Sequence, residues 1–221
     1  MRFLSHAETL RVFQRACVRA GVQIAYSRGF NPHQRMSLVL PRSVGVESDD
    51  ELLCLWLKEG RTGIDAEPLK AALPAGIEII SVKTSEAKNI PEPISARYVM
   101  KVRGQSVDDG TRRKISEIMA SDKFIIERRT GDPRRFASPA SASLDASRGG
   151  RPKRSGGGET KPVDIRPFLE TIKAEPGEVT VDCKISPAGT IRVDEILSLL
   201  QLKTVDLAGP VRRTDVKWKG T

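Results

Sequence analysis

Leu10, Phe13, Ala16, Cys17 and Ala20 recur at helical spacing near the start of the chain, behind a Ser5-His6-Ala7-Glu8 stretch with the form of a capping box. Gly21 closes the predicted helix as a C-terminal cap. Short strands are predicted at Val22–Tyr26 and Met36–Leu40, with a turn-rich connection from Ser27 to Gln34 between them. A further strand is predicted at Glu51–Leu57, a helix at Glu67–Leu73 stopped by Pro74-Ala75-Gly76, and a strand at Ile77–Val82. In the second half the pattern gives a strand at Arg97–Val102, a helix at Thr111–Ala120 and a strand at Lys123–Glu127. Val163–Ile172 reads as a short helix or turn. Val179, Val181, Cys183 and Ile185 alternate with Thr180, Asp182 and Lys184, the pattern of a half-buried strand. A helix at Asp194–Leu202 and a strand at Val211–Trp218 complete the order.

This order predicts an α+β fold of two ferredoxin-like β-α-β-β-α-β units, residues 1–95 and 96–221. The first unit lacks most of its opening strand, because only Met1 to Leu4 precede the helix. Residues 130–160 are rich in Ser, Ala, Gly, Pro and Arg with almost no large apolar side chain, and are expected to form a disordered basic insertion. The insertion also accounts for the 38% hydrophobic content of the 221 residues. No apolar run approaches the roughly 18 residues of a membrane span, and the start of the chain has no signal-peptide pattern. Three Cys, at 17, 54 and 183, form no pair at redox or metal spacing, so a reducing, cytoplasmic setting is expected.

Charge adds more than composition does. The net charge of +9 is concentrated in two blocks, residues 1–42 and 128–162, each with a net of +6, while residues 43–95 carry −5. Basic blocks of this kind suit a polyanion, since each neutralised phosphate releases condensed counterions. Arg11, Arg15 and Arg19 fall at i, i+4 and i+8 on the first helix and stack along one face. They suit a phosphate backbone, or equally the carboxylates of Glu47, Asp49, Asp50 and Glu51. The connection Tyr26-Ser27-Arg28-Gly29-Phe30-Asn31-Pro32-His33-Gln34-Arg35 crowds together aromatic, amide and guanidinium groups. Tyr26, Phe30 and His33 can stack on bases, Arg28 and Arg35 can meet phosphates, and Asn31 can read base edges. An ordinary tight loop with Phe30 tucked into the core is the alternative. His6 and His33 are the two histidines; either could act as a general acid or base, with His6 the candidate singled out, against a purely structural role. The acidic run at 47–51 fits no hard-cation motif, and no glycine-rich phosphate loop, dinucleotide fingerprint or nucleophile elbow is present, so no metal or cofactor is expected.

The runs Arg2-Phe3-Leu4-Ser5-His6, Arg11, Arg15-Ala16, Arg19-Ala20-Gly21, Tyr26 through His33, Leu40-Pro41, Gly45 and Ser48 resemble the radical-SAM-linked conserved domain. That is a bacterial family of unassigned function, found alone or joined to cobalamin-binding radical SAM proteins. The match is dense over residues 2–51; beyond it rests on element order and fragments such as Val163-Asp164-Ile165-Arg166-Pro167. Members of that family usually begin about ten residues earlier, and have His-Leu-Asp where this chain has His6-Ala7-Glu8. The resemblance implies a radical SAM partner with a cobalamin-binding domain. Together with the basic face, it suggests a non-catalytic domain that binds RNA or presents a substrate to such an enzyme. The alternatives are a docking module for the radical SAM partner, and a metal-independent RNA-processing enzyme using His6. An uncovered sheet edge would also permit self-association.

Overall fold

A computed structural model describes residues 1–86, 89–104, 109–129 and 160–219. Nearly all of the basic insertion expected at 130–160 therefore lies outside the described residues; only Thr160 falls within them. The fold is α+β. The elements are α1 (His6–Arg19), β1 (Met36–Leu38), β2 (Glu47–Ser48), β3 (Leu53–Leu55), α2 (Ala66–Ala72), β4 (Glu92–Lys101) and α3 (Asp109–Ala120). They continue with β5 (Ile125–Arg129), β6 (Thr160–Asp164), β7 (Leu169–Glu175), β8 (Glu178–Lys184), α4 (Val193–Leu199) and β9 (Arg212–Lys219).

Five strands form the main sheet in the order β2-β9-β4-β8-β7. β4 runs antiparallel to both β8 and β9, and β7 antiparallel to β8, while β2 joins β9 in parallel. One face carries the larger core, in which Met100, Ile118, Ile165, Val179, Val181, Cys183 and Ile196 are fully buried. The apolar alternation of β8 determines which face that is, since Val179, Val181 and Cys183 must point the same way along a pleated strand. β5 and β6 pair separately. Arg128 on β5 donates from Nε and Nη2 to Glu195 on α4, at 2.6 and 2.7 Å, and ties that hairpin to the core.

The first half builds a smaller core around Ala16, Cys17, Ile24 and Leu69. α1 begins as expected: the Ser5 hydroxyl accepts from the Glu8 N–H, and the Glu8 carboxylate accepts from the Ser5 N–H. It ends in a Schellman turn, with the Val22 N–H on the Cys17 carbonyl and the Gly21 N–H on that of Val18. Gly21 takes a φ of +67° there, which a side chain would strain.

Several expected elements differ. Val22–Tyr26 makes only isolated bridges, Ile24 to Leu57 and Tyr26 to Gln34, in place of a continuous ladder. Ile77–Val82 forms no strand; Ile79 packs against the smaller core as an extended loop residue and Ile80 is exposed. Val163–Ile172 is the end of β6, a 3₁₀ turn at Arg166–Phe168 and the start of β7. A register shift between Leu169 and Thr171 interrupts the alternation that would have marked β7 as a strand. Arg166 donates to the carbonyls of Met119, Ser121 and Leu169, so the Asp164-Ile165-Arg166-Pro167 fragment closes the end of α3.

Candidate functional site

The segment after α1 folds back on itself through a short set of backbone bonds. The Ala25 N–H donates to the Trp56 carbonyl, the Arg35 N–H to that of Ala25, and the Trp56 N–H to that of Arg35. At the neck of the loop the Ser27 N–H donates to the His33 carbonyl at 2.8 Å, and the His33 N–H to the Ser27 hydroxyl at 2.9 Å. Residues 28–32 therefore project as a tip on a pinned base. Gly29 sits at a φ of +128° within that tip, where any side chain is strained. Phe30 is fully exposed at its end, which overturns the alternative that it is tucked into the core. Arg28, Asn31, Pro32 and His33 are exposed as well.

The electrostatic surroundings separate the basic side chains into two groups. The carboxylates at 47–51 are occupied elsewhere: Glu47 by Arg2, Asp49 by Arg212, Asp50 by the Val216 N–H, and Glu51 by Arg213 with Arg42 behind it. They do not oppose the arginine face of α1. Among the described residues, no carboxylate lies within ion-pair distance of Arg11, Arg15, Arg28 or Arg35. Arg11 and Arg15 are exposed, as are Arg28 and Arg35, and the Arg35 guanidinium stacks 5.2 Å from the Trp56 ring centre. Arg19 is committed differently. Its Nη2 donates to the Ala72 carbonyl at 2.6 Å, capping the C-terminal end of α2, where a cation also meets the negative end of the helix dipole.

α1 and the loop meet at an open cleft of about 430 Å³. Gln14, Arg15, Val18 and Arg19 line one wall; Tyr26, Pro32, His33 and Gln34 line the other. Val18 is 64% exposed and Tyr26 50%, so apolar surface faces the opening from both sides. Of the residues expected at a binding face, Arg15, Arg19, Tyr26 and His33 thus converge on one feature, while Arg11, Arg28, Phe30, Asn31 and Arg35 do not line it. Sequence reasoning does not single out Gln14 and Val18. A signal for them exists all the same: they form an i, i+4 pair one residue ahead of Arg15 and Arg19, and Val18 is an apolar residue off the buried stripe.

His6 stands apart. It occupies the first turn of α1, and eight residues of helix at 1.5 Å each put it about 12 Å along the axis from Gln14. Its Nδ1 is shielded from solvent with no hydrogen-bond partner. The three thiols are not primed for nucleophilic work. Burial raises all of them above the ordinary thiol range, Cys17 to about 11 and Cys183 to about 12. At pH 8 the folded protein is therefore expected to react with a thiol-directed reagent such as Ellman's at Cys54 first. Cys17 and Cys183 should follow only in denaturant, and fast reaction of all three without denaturant would contradict this burial. Among the described residues no three His, Cys, Asp or Glu side chains converge as a metal site, and no helix is long and apolar enough to cross a membrane.

No curated protein and no solved structure matches the chain. A family model does match, over residues 1–198, and so takes in α1, the projecting loop, the cleft and every element through most of α4. With that much of its length covered, the chain belongs to a family of uncharacterized proteins conserved in bacteria, DUF2344.

Proposed function

We propose that this protein is a non-catalytic RNA-binding domain that holds an RNA substrate for a radical SAM enzyme. The observation that carries the reading is the pairing pattern of its charges. The acidic run at 47–51 is taken by Arg2, Arg42, Arg212 and Arg213 and the Val216 N–H, while Arg11, Arg15, Arg28 and Arg35 are exposed with no carboxylate at ion-pair distance among the described residues, and Phe30 is fully exposed. Among those residues, folding leaves four guanidinium groups outside any ion pair, Arg11 lying within electrostatic reach of the Glu8 carboxylate, together with an exposed aromatic ring close by in sequence, the combination that single-stranded nucleic acid engages through phosphates and base faces. The radical SAM partner, with its cobalamin-binding domain, rests on the residue resemblance over 2–51. The finer ferredoxin-like reading draws support from the strand order β9-β4-β8-β7, with α3 and α4 in the two crossovers.

Fluorescence anisotropy with labelled tRNA and a mixed-sequence single strand, repeated across salt concentrations, tests the reading. The expected result is micromolar or tighter binding at low salt that weakens steeply as salt rises. Affinity that does not respond to salt would sink it. A denaturing gel of the same samples reports on the enzyme alternative, in which cleavage is lost on His6→Ala. The exposed Val18, Tyr26 and Phe30 also suit a protein partner. In that docking alternative RNA affinity is negligible, and Arg15→Glu releases the radical SAM protein.

A further inference from the structure

We infer that the cleft between α1 and the loop is a receptor for one unpaired nucleobase that offers an N–H donor on its edge. This rests on the RNA-binding reading and names what that surface selects. The cleft, about 430 Å³, is broadly open to solvent, so it can take the face and edge of one base without enclosing it, and its walls combine apolar surface with polar groups suited to a flat, polar-edged ring. Tyr26 on one side and Val18 on the other present exposed apolar surface, so an inserted base is flanked by a ring and an aliphatic group. Arg15 stands at the same cleft with no carboxylate partner and is placed for the phosphate attached to that base.

Gln34 supplies the selective element. Its Oε1 is shielded from solvent and accepts no hydrogen bond, although the residue lines the cleft. A shielded carbonyl oxygen without a donor is an unusual feature of a folded protein, and a ligand N–H relieves it. The last torsion of a glutamine side chain is broad, so the amide can turn toward a base as it enters. A base whose edge N–H has been replaced by methyl groups leaves that oxygen unpaired and is disfavoured. The stacking walls, by contrast, hold either base.

The test uses the full chain and pairs of labelled oligonucleotides. Oligo(A) is compared with a strand of N6,N6-dimethyladenine, and oligo(U) with a strand of N3-methyluracil. Each parent is expected to bind about five- to tenfold more tightly than its methylated form. Gln34→Leu should equalise each pair. Val18→Arg fills the cleft at an exposed position and should likewise erase the preference within each pair. A 2-aminopurine placed in the strand should be quenched on binding, and the quenching should be lost in Tyr26→Ala. Equal affinity for parent and methylated strands with no quenching would overturn the base receptor and leave salt-dependent RNA binding standing. If no strand binds, adenosine and uridine monophosphates are tested by ligand-observed NMR. Binding that still discriminates their methylated forms keeps the receptor and removes the RNA. Silence from strands and nucleotides alike overturns both, and binding of the radical SAM protein alone would assign the cleft to a protein partner.

Discussion

Arg213→Ala is expected to destabilise the protein by about 3 kcal/mol, the low end of the cost of breaking a buried ion pair, because Glu51 keeps 27% of its side chain exposed and has Arg42 at 4.0 Å. Arg213 is only 1% exposed. Its Nη2 donates to Glu51 at 2.6 Å and to the Leu40 carbonyl at 3.1 Å, and its Nε donates to the Ser48 hydroxyl at 3.3 Å. All three acceptors come from the first half of the chain, while Arg213 itself lies on β9 in the main sheet, between β2 and β4. It also lies against the partly buried Tyr98 phenol, whose pKa is raised chiefly by desolvation, with the Arg213 charge opposing that rise. Removing the guanidinium leaves a carboxylate, a carbonyl and a hydroxyl under-satisfied and opens space beside Tyr98. At about 2–4 °C per kcal/mol for a chain of this size, the melting temperature should fall by about 6–12 °C. Glu51→Gln should cost less, because a neutral amide can still accept from Arg213. Thermal melts followed by circular dichroism decide the matter, and a fall of less than about 2 °C for Arg213→Ala would mean that β9 is held to residues 40–51 by something other than this pair.

The second large effect is on binding. Arg15→Glu combined with Arg28→Glu is expected to weaken RNA binding by roughly a hundredfold at low salt, because two phosphate contacts are lost and repulsion replaces them. The slope of log affinity against log salt should shrink by about 1.4, or about 0.7 for each single-strand phosphate contact removed. Both side chains are exposed and unpaired, so the melting temperature should stay close to that of the parent. Arg113→Glu, an equal charge reversal at an exposed position of α3, is the control and should change affinity far less. If this control weakens binding as much as Arg15→Glu does alone, then net charge and not the α1 face attracts the RNA. An unchanged salt slope in the double variant would remove Arg15 and Arg28 from the interface altogether.

Local signals make α1 and its loop legible in the residues themselves. The Ser5–Glu8 box, the apolar stripe through Ala16 and Cys17, and Gly21 after the last turn each depend on neighbours within a few residues. The loop is equally readable as an unusual run, since Gly29 permits a positive φ while Pro32 fixes its own φ and limits Asn31, wherever the loop sits. β7 and β2 are not legible in this way. β7 carries a register shift that hides its period, and β2 is two residues long and is a strand only because β9 lies beside it. Ile77–Val82 shows the converse, an apolar run with strand composition that makes no ladder.

Spacing, residue type and local hydrogen bonds are enough to specify the α+β class, the first helix with both its ends, and the crowding of aromatic, amide and guanidinium groups between Tyr26 and Arg35. Which of the charges are free is a different matter, settled by tertiary contacts alone. The carboxylates at 47–51 sit close to the α1 arginines in sequence, yet the parallel pairing of β2 with β9 delivers Asp49 to Arg212, and Glu51 to Arg213. Arg19 is equivalent to Arg11 and Arg15 on a helical wheel, and it is separated from them by the Ala72 carbonyl that α2 brings within reach. Long-range pairs such as Arg212 with Asp49 and Arg213 with Glu51 depend on which chain segments meet across the fold, and spacing along one helix, which sets local pairs such as Lys70 with Glu67, carries no information about them.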